Sequence, residues 1–254
     1  MTYEGVPGYP PMLAVWAETM VVVADEFRDG NVSAMREPLP AVKAAFAALP
    51  EMANEFYFRG DSACHEHRLL DWLRDEQRQG GPQASSVSPS ARMSKALTLA
   101  VRAAPDSDWK PYGKEDAEAI RECAEVMFCP AERSERKRIQ PLRYVAVRIR
   151  KRQAELFADG SAVKHFAVLS NFWQWEPARL LEWHREKAGT IEAMHNILKN
   201  DLAAGTLPAK RFGANAGVPT DRSSSVGWNA AWLRLAVLTH NLLTALKRLA
   251  LPTG

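Results

Sequence analysis

The segment EFYFRGD, residues 55–61, decides the fold class because it is the clearest strand in the chain and ends in a carboxylate. Aromatic residues dominate it, and Gly60 and Asp61 close it. Residues 64–78 then carry apolar side chains at helical spacing. A carboxylate between a strand and a helix lies where open α/β sheets bind ligands, although an aspartate there is also a common helix N-cap.

A second stretch, WHREKAGTIEAMHNILKND at residues 183–201, predicts a helix that carries Glu192. Arg185 lies seven residues before Glu192, Lys199 lies seven after it, and His195 lies three after it, so all four share one helix face. An acid between cations, next to the small residues 188–189, suits a metal ion and a phosphate. The same spacing also describes a solvated charged face with helical ion pairs.

Hydrophobic periodicity predicts the remaining elements and a division into four segments. Strands are expected at residues 12–16, 19–24, 124–128, 144–149 and 163–170, with a short one near 85–88, and helices at 40–49, 90–104 and 228–249. The segments are a first part of an α/β core (1–104), a β-rich insertion (105–162), the rest of the core with the Glu192 helix (163–204), and a loop with the last helix (205–254).

Composition indicates an ordinary globular chain of 254 residues with a net charge of +3, which is compatible with nucleic-acid binding but does not establish it. Three cysteines without a paired motif fit a reducing compartment. The first twenty residues lack the pattern of a signal peptide, and the apolar runs are too short to span a bilayer. We therefore expect a cytoplasmic protein that has no membrane partner.

Asp61 and Glu192 are the main candidates for chemistry, because two-metal phosphoryl transfer needs carboxylates that converge on the ions. The run Cys64–His65–Glu66–His67 resembles a metal cluster, but His65 and His67 point to different sides of a helix. We interpret that run as surface or helix-start residues. No Gly-rich phosphate loop, Gly-x-Ser-x-Gly elbow or Cys-x-x-Cys motif is present in the sequence.

A basic segment, residues 133–152, contains nine lysines and arginines. Arg148, Arg150 and Arg152 alternate, which places them on one face of a strand where they could follow a DNA backbone. The alternative is a solvated loop followed by an edge strand that its charges protect from aggregation.

Several motifs together resemble bacterial insertion-sequence transposases with a DDE catalytic domain. They are YEGVPGY (3–9), FRDGN (27–31), EFYFRGDSA (55–63), KHFAVLSN (164–171), HREKAGTIEAMHNILKNDLAAGTLP (184–208) and NAAWLRLAVLTHNLLTALKRL (229–249), and they span essentially the whole chain. The resemblance implies a ribonuclease-H-like mixed sheet flanked by helices, with a β-rich insertion between the second and third catalytic acids. It also implies DNA transposition with two Mg²⁺ or Mn²⁺ ions.

The resemblance assigns Asp61 as the second catalytic acid and Glu192 as the third, both as metal ligands. Lys199 keeps the spacing of the family's lysine, whereas Arg185 stands at its tyrosine position and Ala188 at its arginine position. Arg185, His195 and Lys199 would bind the DNA backbone, and His184, Arg185 and Lys187 could take over the role of the two altered positions. The implied partners are double-stranded DNA at the nucleoid and further copies of the chain.

Two departures from the family pattern shape the functional expectation. In the family, the first catalytic acid lies on a strand before a segment such as YEGVPGY, which here occupies residues 3–9. Asp25 and Asp29 come after that segment and after the second predicted strand, in or beside a turn, so neither is assigned as the first acid. Residues 217–227 also interrupt the tail motif. We therefore expect a transposase fragment, truncated at its amino terminus, with little or no cleavage activity of its own.

Two alternative functions stay open. One is a non-catalytic remnant that binds DNA or oligomerises and so modulates a full-length transposase. The other is an unrelated metal-dependent nuclease.

Overall fold

The computed structural model describes residues 11–28, 33, 36–52, 55–75, 84–114, 116, 118–130, 140–152, 157, 160–208 and 227–250. It shows a mixed α/β protein. The chain forms two compact units: one contains residues 1–51 and 188–254, and the other contains residues 52–187. Asp29, the charged loop at 131–138 and residues 217–226 of the expected insertion lie outside the described residues.

The first unit begins with an antiparallel pair, β1 (Met12–Trp16) and β2 (Val21–Glu26). The second strand starts two residues later than predicted because residues 17–20 form a turn in which Met20 has a φ of +58°. Asp25 therefore lies inside β2 and not beyond it, which corrects the sequence interpretation. Its carboxylate accepts a hydrogen bond of 3.2 Å from Arg234, so Asp25 has a structural partner.

Among the described residues, two helices lie wholly within the first unit. Helix α1 (Leu39–Ala47) follows the strands, and the last helix, α5 (Trp228–Ala250), packs against β2. Their apolar spacing was read correctly from the sequence. A small core lies between β2, the end of the Glu192 helix and α5, and its buried members are Val22, Met194, Leu198, Ala236 and Val237.

The second unit contains a parallel pair, β3 (Glu55–Gly60) and β4 (Ala84–Pro89). The strand predicted at residues 55–61 is confirmed, and the short strand near 85–88 is its partner. The helix predicted at 64–78 is shorter: a 3₁₀ turn, Ser62–Cys64, comes first, and Glu66 then caps α2 (His67–Arg74) by accepting from the backbone N–H groups of residues 68 and 69. Helix α3 (Lys95–Arg102) follows β4.

A four-stranded antiparallel sheet forms the rest of the second unit. Its strands are β5 (Lys110–Pro111), β6 (Ala119–Phe128), β7 (Leu142–Lys151) and β8 (Val163–Leu169), in that order. The sequence predicts that residues 163–170 belong to the core and not to the β-rich insertion. In the structure β8 pairs with β7 of that insertion and also meets the end of β4 through a bridge between Ser90 and Val168. The two sheets of this unit are thus joined at that bridge.

Helix α4 (Pro177–Asn196) contains the Glu192 segment, begins six residues before the predicted stretch, and continues as one π-helical turn, Ile197–Asp201. In the second unit its first part packs on the four-stranded sheet. Buried residues there include Val145, Val147, Phe172, Leu180 and Leu181. Among the described residues, no helix is long and apolar enough to cross a membrane.

Candidate functional site

The carboxyl edge of the β3–β4 pair is the candidate site. The parallel register pairs Gly60 with Pro89, and the backbone N–H of Ser90 donates to the Gly60 carbonyl at 3.0 Å. Asp61 and Ser90 therefore follow the ends of two neighbouring strands at one edge of the sheet. In open α/β sheets this edge is where ligands bind.

Asp61 is exposed, and its side chain is fixed in position. Its Oδ1 atom accepts the backbone N–H of Ala63 at 2.9 Å, which caps the 3₁₀ turn. The capping role that we weighed for this residue is therefore confirmed. A carboxylate has two oxygens and several lone pairs, so a cap on Oδ1 is compatible with metal ligation by the same group.

Gly60 explains why the strand can end so tightly against the following turn. A Cβ atom at this position would lie 2.6 Å from Cβ of Cys64 and 2.9 Å from its Sγ. Real Cβ atoms do not approach so closely, so only glycine lets the turn that holds Asp61 fold back against the strand.

A hydrogen-bond network behind this edge links β4 to α4. Nδ1 of His184 lies 3.0 Å from Oγ of Ser88, and Nε2 of the same ring lies 2.9 Å from Oγ of Ser90. Nζ of Lys187 donates to Oγ of Ser90 at 3.0 Å. Sequence reasoning had noted His184 and Lys187 but missed the two serines. Their alternation in SVSPS (86–90), at the end of a strand, is the signal that could have identified them.

His184 has a pKa far below its ordinary value. Burial lowers the pKa of His184 to about 3, and the nearby Lys187 and Arg59 lower it further, while a hydrogen bond with the Ser88 backbone opposes the shift. The imidazole is therefore neutral near pH 7. Burial also lowers the pKa of Lys187, whereas the negative charge of Asp61, and that of Cys64 in its thiolate form, act in the opposite direction.

Arg59, on β3, is held by other parts of the same unit. Nη1 donates to the backbone carbonyl of Trp183 at 2.6 Å and to Glu186 at 3.0 Å, and the guanidinium stacks 4.7 Å above the Trp183 ring. Its side chain is 13% exposed. Arg59 thus attaches α4 to β3, and Lys187 is the cation at the edge whose hydrogen-bond partner is a neutral hydroxyl.

The other predicted metal ligand, Glu192, is exposed on α4 and belongs to the first compact unit, whereas Asp61 belongs to the second. Arg185 and His195 are also exposed on α4, and Lys199 is exposed in the π-helical turn. Among the described residues, no group of three or more His, Cys, Asp or Glu side chains is placed to hold a metal ion.

Of the three arginines predicted to follow DNA, Arg148 and Arg150 lie on β7 and Arg152 follows its last residue. β7 pairs with β6 and with β8, so it is not an edge strand. Arg148 pairs with Glu122 at 2.8 Å and with Asp106 at 2.6 Å, and it stacks on Trp109. Arg150 also pairs with Glu122. The edge-strand part of the alternative is thus wrong, because β7 pairs with β6 on one side and with β8 on the other. Glu122, on β6, pairs with both arginines across the strands.

Arg152 and Arg143 show the same internal use of the basic segment. Nε of Arg152 donates to the backbone carbonyl of Asp116 at 2.9 Å. Arg143 is 2% exposed, and it donates to the carbonyls of Phe172 and Trp175 and to Glu125. In this segment the periodicity identified the strand face correctly but did not identify what the face contacts.

The run at residues 64–67 serves the fold. Nε2 of His65 lies 3.0 Å from the hydroxyl of Tyr144, and Nδ1 of His67 lies 2.9 Å from the Glu66 carboxylate that caps α2. This arrangement agrees with the interpretation of these residues as helix-start groups.

Comparison with models of known protein families gives no match, and comparison with curated proteins gives no significant match either.

Proposed function

We propose that this chain carries part of the catalytic domain of a DDE-type insertion-sequence transposase, with a ribonuclease-H-like core. The observation that carries the proposal is the position of Asp61, at the carboxyl edge of two parallel strands and next to a strand-end serine that binds a lysine. The FRGDSA motif and the Glu192 helix support it from the sequence. In this proposal the chain acts in the cytoplasm, on double-stranded DNA at the nucleoid.

Asp61 fits a divalent metal ion because it is an exposed carboxylate held in place by the Ala63 N–H. Glu192 is the second ligand in the proposal, and it too is an exposed carboxylate. Hard oxygen ligands of this kind are those that Mg²⁺ and Mn²⁺ prefer. When bound, the ions supply the activation of a water or 3′-hydroxyl nucleophile and the stabilisation of the leaving oxygen.

The chain's own residues would position the DNA at this edge. Asp61 is fixed by its cap, and neutral His184 supports Ser90 without adding positive charge to the edge. Arg185, His195 and Lys199 remain the proposed contacts with the DNA backbone. Arg150 is a further one, because its side chain is 44% exposed although it pairs with Glu122. Further copies of the chain are proposed partners, as in the family that the sequence resembles.

The experiment that tests the proposal measures duplex DNA binding with and without Mg²⁺, followed by a cleavage assay on the same DNA. We expect Mg²⁺ to tighten binding in the wild-type chain, and Asp61→Asn and Glu192→Gln each to remove that increment. Asp108→Asn is the matched control, because Asp108 is an exposed acid in the same unit as Asp61. Binding that never depends on Mg²⁺, in wild type or variants, would contradict the proposal.

A second candidate is the non-catalytic DNA-binding remnant. The observation that favours it is the lack, among the described residues, of a three-ligand metal group. It predicts DNA affinity that falls steeply as salt rises but does not respond to Mg²⁺. Negligible binding at every salt concentration would eliminate it.

A further inference from the structure

Lys187 lies beside Asp61 because of the strand register. Ser90 is the residue after β4, and its N–H donates to Gly60, the residue before Asp61. The Lys187 ammonium is hydrogen-bonded to the side chain of Ser90 at 3.0 Å. A cation and a carboxylate thus lie at adjacent strand ends of the same edge.

The hydrogen bonds around Lys187 connect it to β4. An ammonium can only donate, so Ser90 Oγ accepts from Lys187. The neutral His184 ring has one donor nitrogen and one acceptor nitrogen, and these two nitrogens contact the hydroxyls of Ser88 and Ser90. This chain of hydrogen bonds, anchored on β4, fixes where the ammonium lies.

The ammonium keeps donors for a ligand. Three N–H groups are present on a lysine side chain, and the bond to Ser90 uses one of them. Within the part of the chain that the structure describes, Lys187 forms no ion pair, while Arg59 is bound to Trp183 and Glu186. A half-buried cation without a paired anion is costly, and an anionic ligand would offset that cost.

We propose that Lys187, held by Ser90 and His184, binds a non-bridging oxygen of a DNA phosphodiester next to Asp61. This inference rests on the proposed function, because it takes the phosphate to be that of the DNA on which Asp61 acts. The resemblance offers Lys187 only as one of several substitutes for the family's altered DNA-binding positions, and its contact with Ser90 at the strand end is what assigns it to the phosphate next to Asp61. The lowered pKa of Lys187, caused by burial, agrees with a cation that has lost part of its water.

The test measures the affinity for duplex DNA over a series of salt concentrations, without Mg²⁺. Neutralising one phosphate contact reduces the slope of log K against log salt by about 1, so we expect this reduction for Lys187→Gln and the wild-type slope for Lys187→Arg. Lys110→Gln, an exposed lysine on β5, is the matched control and should keep the slope. A wild-type slope in Lys187→Gln overturns the inference.

Lys187→Met is a second neutral variant that retains the aliphatic stem, in case Lys187→Gln does not fold; it should show the same reduced slope. Ser90→Ala should weaken binding and leave the slope near that of wild type, because it removes the support of the cation and not the cation.

Asp61→Asn separates the two proposals: if the Mg²⁺ increment depends on Asp61 but the slope does not depend on Lys187, only the inference fails. If the slope depends on Lys187 but Mg²⁺ has no effect, only the proposed function fails.

Discussion

The side-chain amide of Asn241 forms hydrogen bonds with both backbone groups of Val22. It donates to the carbonyl at 2.8 Å and accepts from the N–H at 2.9 Å, so a residue of α5 takes the place of a neighbouring strand on β2. Backbone groups on a strand need such partners when they are withdrawn from water. The last helix therefore stabilises the first strand pair through specific hydrogen bonds as well as apolar contacts.

Replacing Asn241 by leucine should destabilise the protein by about 2 kcal/mol, because it leaves both Val22 groups without a partner. Urea unfolding followed by circular dichroism measures the loss. Thr239→Ala is the control: Thr239 is exposed, its hydroxyl donates to the Leu235 carbonyl of its own helix, and the change should stay within about 0.5 kcal/mol. Equal unfolding midpoints for Asn241→Leu and wild type would contradict the prediction.

Gly60→Ala should lower the free energy of unfolding by roughly 1–3 kcal/mol, because the new methyl group would collide with Cys64. Gly189→Ala provides a comparison of the same chemical type. A Cβ at Gly189 meets nothing within 4 Å, and the residue lies inside α4, so alanine should stabilise the helix by about 0.5–1 kcal/mol. Thermal melts of both variants test whether Gly60→Ala lowers the melting temperature while Gly189→Ala raises it. An unchanged melting temperature for Gly60→Ala would contradict the predicted collision with Cys64.

Arg143→Met should cost about 3 kcal/mol or more, because the buried guanidinium satisfies two backbone carbonyls and the Glu125 carboxylate. Lysine should not rescue it, since a single ammonium cannot reproduce the planar fork. Glu125→Gln is the matched control: that side chain is 42% exposed, so its removal should cost less than about 1 kcal/mol. Chemical denaturation distinguishes these variants, and similar losses at both positions would refute the ranking.

Stability should fall with acid through His184. The unfolded side chain has a pKa of 6.5, and burial lowers the folded value to about 3, so between these pH values the unfolded chain binds a proton that the folded chain does not. The free energy of unfolding then decreases by up to about 1.4 kcal/mol for each pH unit between 6.5 and about 3. His184→Gln should remove this part of the pH dependence, and NMR titration of the wild-type imidazole near pH 6.5 would disprove the shift.

The sequence by itself determined the local elements of this protein. A run of aromatic residues closed by Gly60 and Asp61 predicted β3, and helical spacing predicted α1 and α5, because both signals depend on neighbours along the chain. It also placed Asp61 at a strand end, where a capping role and a ligand role are both chemically reasonable. Glu192 and Lys199 were located on one helical stretch by the same means.

Only the tertiary structure decided what those elements meet. The parallel pairing of β3 with β4 brings Ser90 beside Asp61, and burial of α4 places His184 between two serines and Lys187 against one of them. Arg148 became an ion-pair partner of Glu122 because β6 happens to lie next to β7. Strand order, register and desolvation depend on contacts between residues far apart in sequence, and a repeat pattern along one segment carries no information about them.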